Sequence, residues 1–385
     1  MKNLYDVLIV GAGASGSVCA IRCKQRGYNV ALIDANYFPC KKLLVTGNGR
    51  CNLTNLNILE ESYNCNIDKF LSRFSVEDCL RLFNGIGLEV YGDEEGRVYP
   101  ISNMAKSVVD CLNYKINLLK IPVYSQEKVI KIFKEKDLFK IVSEKNEFFA
   151  KSVVVAVGNI SEELCSEFNI KFNKFMPSLV ALKTVEKTSS LAGVRVSNVK
   201  LSANINGKTF NECGEVLFKD GGLSGIVVFN LSAYLARTGS YDAYVSIDLL
   251  PKISNEELLD KIKNRVSKFE LIKDIFVGMF ANAVSSEIFS RCKIDLTKKT
   301  ISLKESEMLK LCNCIKNFKF KINGCYENNQ VVSGGVSLND LDDNMQSKKN
   351  AGLYFCGEVC DVDGLCGGYN LQWAWTSGYI VGDSI

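Results

Sequence analysis

The first apolar run of the chain, Val7 to Val10, stops at Gly11 and gives way to a mixed, helix-like stretch; a second run, Val30 to Ile33, ends on Asp34. Short apolar runs flanking a helical segment predict parallel strands covered on both faces. Residues 62 to 85 place Phe70, Phe74, Leu80 and Phe83 among charges, which predicts one helix. "EVYGDEEGRVYPIS" predicts a β-hairpin with acids and Gly96 in the turn, and "AKSVVDCLNYKINLL" a helix with apolar residues at three- and four-residue steps. Residues 126 to 150 alternate apolar and charged, as in a half-exposed antiparallel meander, and "KSVVVAVGN" (151 to 159) then reads as a fully apolar strand ending in glycine.

Strand-like segments dominate from about 180 to 250: "LVALKTV", "VKLSANI", "GEVLFKD", "YVSIDLL". Residues 253 to 316 turn helical and charged, "NEELLDKIKNRV" being the cleanest case. "FKFKIN" (318 to 323) is strand-like again, and "VVSGGVSLNDL" leads back to the first domain. The order predicts an α/β chain. A Rossmann-like domain spans 1–180 and 331–385. It is interrupted by a β-rich inserted domain (181–252 and 317–330) and a small helical domain (253–316).

Composition narrows the classes. With 385 residues, 47% of them hydrophobic, the chain can fill the cores of two or three domains. Net charge is only +4 and no long basic run appears, so neither nucleic acid nor a membrane surface is an expected partner. The sixteen cysteines are scattered with no C-x-x-C, which predicts reduced thiols, no metal site and a cytoplasmic chain. Histidine is absent, which excludes a Ser-His-Asp triad and any histidine base. Proton transfer must use Tyr, Lys, Cys, a carboxylate or water.

The strongest motif is Gly11-x-Gly13-x-x-Gly16 between the first strand and its helix, with Asp34 ending the second strand. In that context it is a dinucleotide fingerprint: backbone at Gly13, Ala14, Ser15 and Gly16 faces a diphosphate at a helix N-terminus, and Asp34, next to Ala35, accepts from a ribose diol. The basic, glycine-rich stretch "FPCKKLLVTGNGRCNLTN" follows. Lys41, Lys42 and Arg50 can neutralise phosphate there, with Gly49, Cys51 and Asn52 close to the ligand. Val129 sits where folds of this type pass a backbone amide near adenine, and Ala156 and Gly158 end the later apolar strand beside the dinucleotide. Near the end, "GEVCDVDGLCGGYNLQWAW" brings Gly357, Glu358, Asp361, Gly367, Gly368, Tyr369, Asn370 and Leu371 into one turn that opens a helix at about Tyr369. Its free amides and dipole suit negative charge developing on a reduced cofactor ring. Trp373 and Trp375 read as helix packing against the core, with stacking on a substrate as the alternative.

"KKLLVTGNGRCNLTN", "GRVYPISNMAKSVVDCL", "GEVLFKDGGLSG" and "GLYFCGEVCDVDGLCGGYNLQWAW" occur in order over nearly the full length. Together they resemble the HI0933-like flavoproteins, which include BaiN-type and aminoacetone-oxidase-type members. The resemblance implies FAD in a two-dinucleotide-binding-domain type of fold, and an oxidoreductase that passes hydride from a donor to an organic acceptor such as a conjugated double bond. With one fingerprint only, NAD(P)H would dock transiently, and a protein electron donor such as ferredoxin is the alternative. Tyr369 and Cys366 are candidate proton donors to a small-molecule substrate. The rival readings are an amine oxidase using dioxygen and a flavin-binding sensor or RNA-associated flavoprotein. Cys356-x3-Cys360 matches the count of a redox disulfide, but its place on and after an apolar strand argues against that. The chain departs from the family pattern at Asn48 and Cys366, where glycine and threonine are usual, and at Lys219, Asp220 and Ile226 within "FKDGGLSGI".

Overall fold

The computed structural model describes residues 4–158, 162–327 and 331–385; Asn159, the last residue of the predicted apolar strand, and residues 328–330 of the predicted inserted domain lie outside the described residues. The chain divides into two compact units, Met1–Met176 with Gln330–Ile385, and Pro177–Asn329.

The first unit is built on a seven-stranded sheet. Leu4–Val10 pairs in parallel with Val30–Ile33 on one side and with Glu147–Val155 on the other. Glu147–Val155 does two jobs. Its first half pairs antiparallel with Leu138–Ser143, while Val153 to Val155 pair in parallel with Leu353–Phe355. The predicted meander forms from Val129–Glu135, Leu138–Ser143 and the start of Glu147–Val155, so its last strand and the predicted apolar strand are halves of one strand. The alternating half has one face open, and the run of valines is buried on both faces, as parallel pairing requires.

The helix Ala14–Gln25 packs on this sheet. It follows the fingerprint, and the closing helix Tyr369–Ser384 lies against it so tightly that a Cβ on Gly378 would stand 2.3 Å from the Ser15 carbonyl oxygen. Arg22 Nε donates to Asp383 Oδ1 at 2.9 Å across the same contact. Trp373 and Trp375 are buried; their indole N–H groups donate to the carbonyls of Gly357 (3.1 Å) and Leu53 (2.9 Å). Phe70 and Phe83 meet them edge-on, so both tryptophans belong to the core, each worth about 3–5 kcal/mol on truncation to alanine.

The single helix expected over 62–85 is instead two, Asp68–Leu71 and Val76–Gly85. Ser75 and Asp78 form a capping box in which each side chain accepts the other's amide, and that box starts a new helix.

The second unit holds a closed barrel in the order Leu182–Thr184, Gly222–Ser224, Lys208–Lys219, Arg195–Ile205, Asp242–Asp248 and Phe318–Cys325. The helices Asn255–Val266, Asn282–Cys292 and Glu305–Lys316 belong to the same unit. One further helix there, Ile226–Thr238, was not expected. Its β-branched, largely apolar beginning reads as strand, yet left-handed Gly225 and Gly239 bracket it and Val227, Val228, Leu231 and Leu235 bury one face.

Candidate active site: a dinucleotide cradle and a polar ring end

At the fingerprint, backbone presses on backbone. A Cβ on Gly16 would stand 1.9 Å from the Gly11 carbonyl oxygen, and one on Gly11 2.5 Å from the Ala156 carbonyl oxygen. A Cβ on Gly13, the residue before the helix, would meet nothing within 4 Å. The loop is thus tight behind and open in front. The amides of Ala14, Ser15 and Gly16 precede the first helical bond, Ser17 N to Gly13 O at 3.0 Å, so they are left for an anion.

Asp34 shapes the same loop: Oδ2 accepts from Ala12 N at 2.7 Å and Oδ1 from Asn36 N at 2.7 Å. A carboxylate has about four acceptor positions, so a diol can still be served. Ala35 is exposed beside it. Sequence reasoning missed Glu127, a buried carboxylate that accepts from the Ser143 hydroxyl and from Asn146 Nδ2 while its amide donates to Asp34 O at 2.9 Å. It pins the entry to the strand Val129–Glu135, where Val129 pairs with Ser143. A lone acid inside an alternating stretch gave no signal.

The basic stretch turns a corner through left-handed residues: Asn48 at φ 56° and Gly49 at φ 80°, then Cys51 at φ 58°. Asparagine tolerates that region better than other side chains, which explains how Asn48 replaces a glycine. Lys42 Nζ pairs with Glu358 Oε2 at 2.7 Å, and a Cβ on Gly158 would meet that same oxygen at 2.5 Å. Lys42, Gly158 and Glu358 therefore come together, whereas exposed Lys41 lies over the Tyr37 ring. Arg50 sits over the Tyr99 ring, 4.4 Å from its centroid, with Nη2 3.5 Å from the phenol oxygen.

The second glycine-rich turn meets side chains and a distant strand. Gly368, at φ 99°, precedes the closing helix; a Cβ there would stand 2.6 Å from the Thr54 carbonyl and 2.9 Å from Asn52 Oδ1. Asn52 Oδ1 is buried without a hydrogen-bond partner among the described residues. The amides of Tyr369, Asn370 and Leu371 precede the first helical bond, Gln372 N to Gly368 O at 3.0 Å. Asn55 Nδ2 donates to Gly367 O at 3.0 Å, and buried Gln372 accepts from Thr54 Oγ1 at 2.6 Å while donating to Ser75 O and Thr376 Oγ1. These contacts tie the turn to the strand Thr54–Asn55, which pairs with Arg97–Pro100 and so brings Tyr99 into the neighbourhood.

Other predicted side chains are engaged locally. Asn370 clamps Gly364, accepting from its amide at 2.9 Å and donating to its carbonyl at 2.8 Å. Asp361 accepts from Asn64 and Asn173, and buried Asp363 accepts from the Ser333 hydroxyl at 3.0 Å. The Tyr369 carbonyl accepts from the Tyr63 phenol at 2.8 Å, and the two rings meet edge-on. Half-buried Cys366 interacts electrostatically with Tyr99, a residue that is 4% exposed. Burial pushes the Tyr99 phenol up, while Arg97 and Arg50 pull it back. Tyr99 is the protic residue that motif reading did not find; its signal, a tyrosine in the hairpin, has meaning only once the strands pair.

Open space before a helix N-terminus suits a diphosphate. A buried acceptor beside three free amides suits a flavin ring, which carries both N–H donors and carbonyl acceptors. The residues present fit FAD. A family profile described as the HI0933-like protein Rossmann domain matches residues 5–384. The chain belongs to the HI0933-like family. It is 29% identical to a 3-dehydro-bile acid delta(4,6)-reductase of Clostridium scindens, over 97% of this chain and 97% of the relative. It is also 29% identical to a ribosomal RNA dihydrouridine synthase of Escherichia coli, over 97% of this chain and 96% of that one. Among solved structures, a 3-ketosteroid delta1-dehydrogenase from Sterolibacterium denitrificans superposes with a TM-score of 0.52 at 11% identity, covering 99% of each chain, which establishes the shared fold. Family and motif order make this HI0933-like chain an FAD-dependent oxidoreductase. No described helix is long and apolar enough to cross a membrane.

In this HI0933-like protein the departures from the family pattern have visible surroundings. Lys219 lies over the Tyr326 ring, 4.6 Å from its centroid, and the Asp220 carbonyl accepts from the Tyr326 phenol at 2.5 Å. Ile226 begins the unexpected helix. Cys356 and Cys360 are buried; burial pushes the Cys356 thiol up to about 12 and the Cys360 thiol well above its ordinary value. Buried thiols held protonated are poor nucleophiles.

Proposed function

We propose that the protein is a reductase of carbon–carbon double bonds conjugated to a carbonyl group, drawing on NAD(P)H. FAD, when bound, supplies the hydride chemistry. The chain's own part is to hold and to protonate. The amides at Ala14 to Gly16 and the Lys42–Glu358 pair hold the diphosphate end. The amides at Tyr369 to Leu371 and Asn52 hold the ring and favour negative charge there.

The observation that carries the reading is the group formed by Arg50, Tyr99 and Cys366. Saturating a conjugated double bond requires a proton on the carbon next to the carbonyl, and the chain has no histidine to give it. A phenol that burial keeps protonated, with a guanidinium over its ring, can give up a proton and be stabilised as the anion. Tyr99 is that donor, with Cys366 next to it. An amine oxidase needs the opposite, a group that keeps an amine unprotonated.

The names of the two kinds of relative favour one bond class and two substrates. A delta(4,6)-reductase of a 3-dehydro-bile acid saturates an enone, and a dihydrouridine is a uridine whose ring double bond has been saturated. The small enone is the first reading, and a uracil in RNA the second, favoured by the ribosomal RNA dihydrouridine synthases. Anaerobic titration with NADH and then NADPH, followed by mixing the reduced enzyme with a 4-en-3-one steroid or with uridine-containing RNA, separates them. Reoxidation of flavin absorbance by one of the two identifies the substrate class. Bleaching by neither nucleotide replaces them with a protein donor, and stoichiometric hydrogen peroxide from an amine under air overturns the reductase reading.

A further inference from the structure

Within the second unit two cysteines meet outside every feature used above. Cys292 ends the helix Asn282–Cys292, and Cys314 lies in the last turn and a half of Glu305–Lys316. The Cys292 sulfur lies 3.5 Å from the Lys310 carbonyl oxygen. In an α-helix that carbonyl is the one facing the amide of Cys314, four residues on, so the sulfur rests on the turn that carries the second thiol. Each thiol shifts the other's proton affinity, and both residues are part-exposed.

We propose that Cys292 and Cys314 form a peroxide-reactive dithiol that closes to a disulfide, stapling the two helices together. The surroundings make the pair unequal. The neighbouring Cys314 thiol, and then the Lys310 and Arg291 cations, hold the Cys292 thiol below its ordinary value against the opposing effect of burial. Cys314 is pushed up, first by the neighbouring Cys292 and then by burial. Cys292 is therefore the attacking sulfur and Cys314 the resolving one.

The chemistry balances with hydrogen peroxide, which forms when dioxygen takes the two electrons of a reduced flavin. The Cys292 sulfur attacks one peroxide oxygen, the O–O bond breaks, one water leaves and a sulfenic acid remains. The Cys314 sulfur then attacks that sulfur; the S–S bond forms, the S–O bond breaks and a second water leaves with the thiol proton. Two thiols lose two electrons, and one peroxide becomes two waters. By contrast, Cys19 and Cys356 are buried, and burial raises both thiols.

The test uses the full-length flavoprotein treated with equimolar hydrogen peroxide, then alkylated, digested without reduction and mapped. A linked Cys292–Cys314 peptide should appear first, and the free-thiol count should fall by two from sixteen. In Cys314→Ser, dimedone should label Cys292 as the trapped sulfenic acid; Lys310→Gln should slow oxidation several-fold. Flavin absorbance and thermal unfolding confirm that each variant is folded, and Cys292→Ser, which should abolish the linked peptide, stands in should Cys314→Ser not fold. Oxidation of exposed Cys213 ahead of the pair, or a map with no linked peptide, overturns the proposal.

Discussion

The two glycine-rich turns of the first unit each open a helix, yet glycine serves them differently. At Gly11–Gly16 the neighbours are backbone atoms of the same loop and of the next strand: Gly11 O lies 1.9 Å from a notional Cβ on Gly16, and Ala156 O 2.5 Å from one on Gly11. At Gly364–Gly368 the neighbours are mostly side chains, with the Tyr369 ring against Gly367 and Tyr63 against Gly364, and Gly368 alone touches distant backbone, at Thr54. The first turn takes its shape from backbone alone, its own and that of the next strand. The second takes its shape from Asn52, Thr54, Tyr63 and Gln372, and there a particular chemistry can be specified.

The contrast breaks most severely at Gly16→Ala. No flexible side chain is available to give way, so backbone must move, and the cost should exceed about 3 kcal/mol. The variant should purify colourless, with a sharply lowered unfolding temperature or as aggregate; a yellow, stable Gly16→Ala would mean that the loop is not a rigid seat. Gly368→Ala should cost somewhat less, about 2–3 kcal/mol. A non-glycine residue at φ 99° accounts for about 1–2 kcal/mol and displacement of the Thr54 carbonyl for the rest. It should fold, lower the unfolding temperature and perturb the flavin spectrum; an unchanged spectrum would remove this turn from the ring end.

The same contrast explains what could be read from sequence. The fingerprint, its strand and Asp34 were legible because the geometry is local and carried by residue types at fixed spacing. The closing helix was legible too, starting at Tyr369 after two glycines. What stayed hidden depends on partners far along the chain. The Arg50–Tyr99 contact needs the strand pairing of Thr54 with Val98, and the Gln372 network spans Thr54, Ser75 and Thr376. The helix Ile226–Thr238 was hidden for another reason: its β-branched start has the composition of a strand, and two left-handed glycines decide against it.

Asn52→Leu sharpens the comparison by separating folding from binding. Its Oδ1 is buried without a partner among the described residues, so the polar atom costs stability before any ligand arrives. Apoprotein stability should hold or rise by up to about 1 kcal/mol, while FAD binding weakens by about 1–2 kcal/mol, roughly tenfold. Calorimetry of the apoprotein and fluorescence titration with FAD read the two terms. A variant that loses stability and keeps its affinity would show that Asn52 supports the corner at Cys51 rather than the ring.

The smallest effect on the fold belongs to Gly13→Ala, and that is what makes it the sharpest probe of the first turn. Gly13 has φ −78° and ψ −161°, a conformation open to alanine, and a Cβ would meet nothing within 4 Å. The apoprotein should therefore unfold within about 0.5 kcal/mol of the parent. If the open space is the diphosphate seat, the added methyl stands where the ligand must approach the amides of Ala14 to Gly16, and FAD affinity should fall at least tenfold. Stability and affinity then part company at Gly13 and fail together at Gly16, three residues away. Equal affinity in Gly13→Ala would place the diphosphate elsewhere and leave the tightness of the loop as a matter of folding alone.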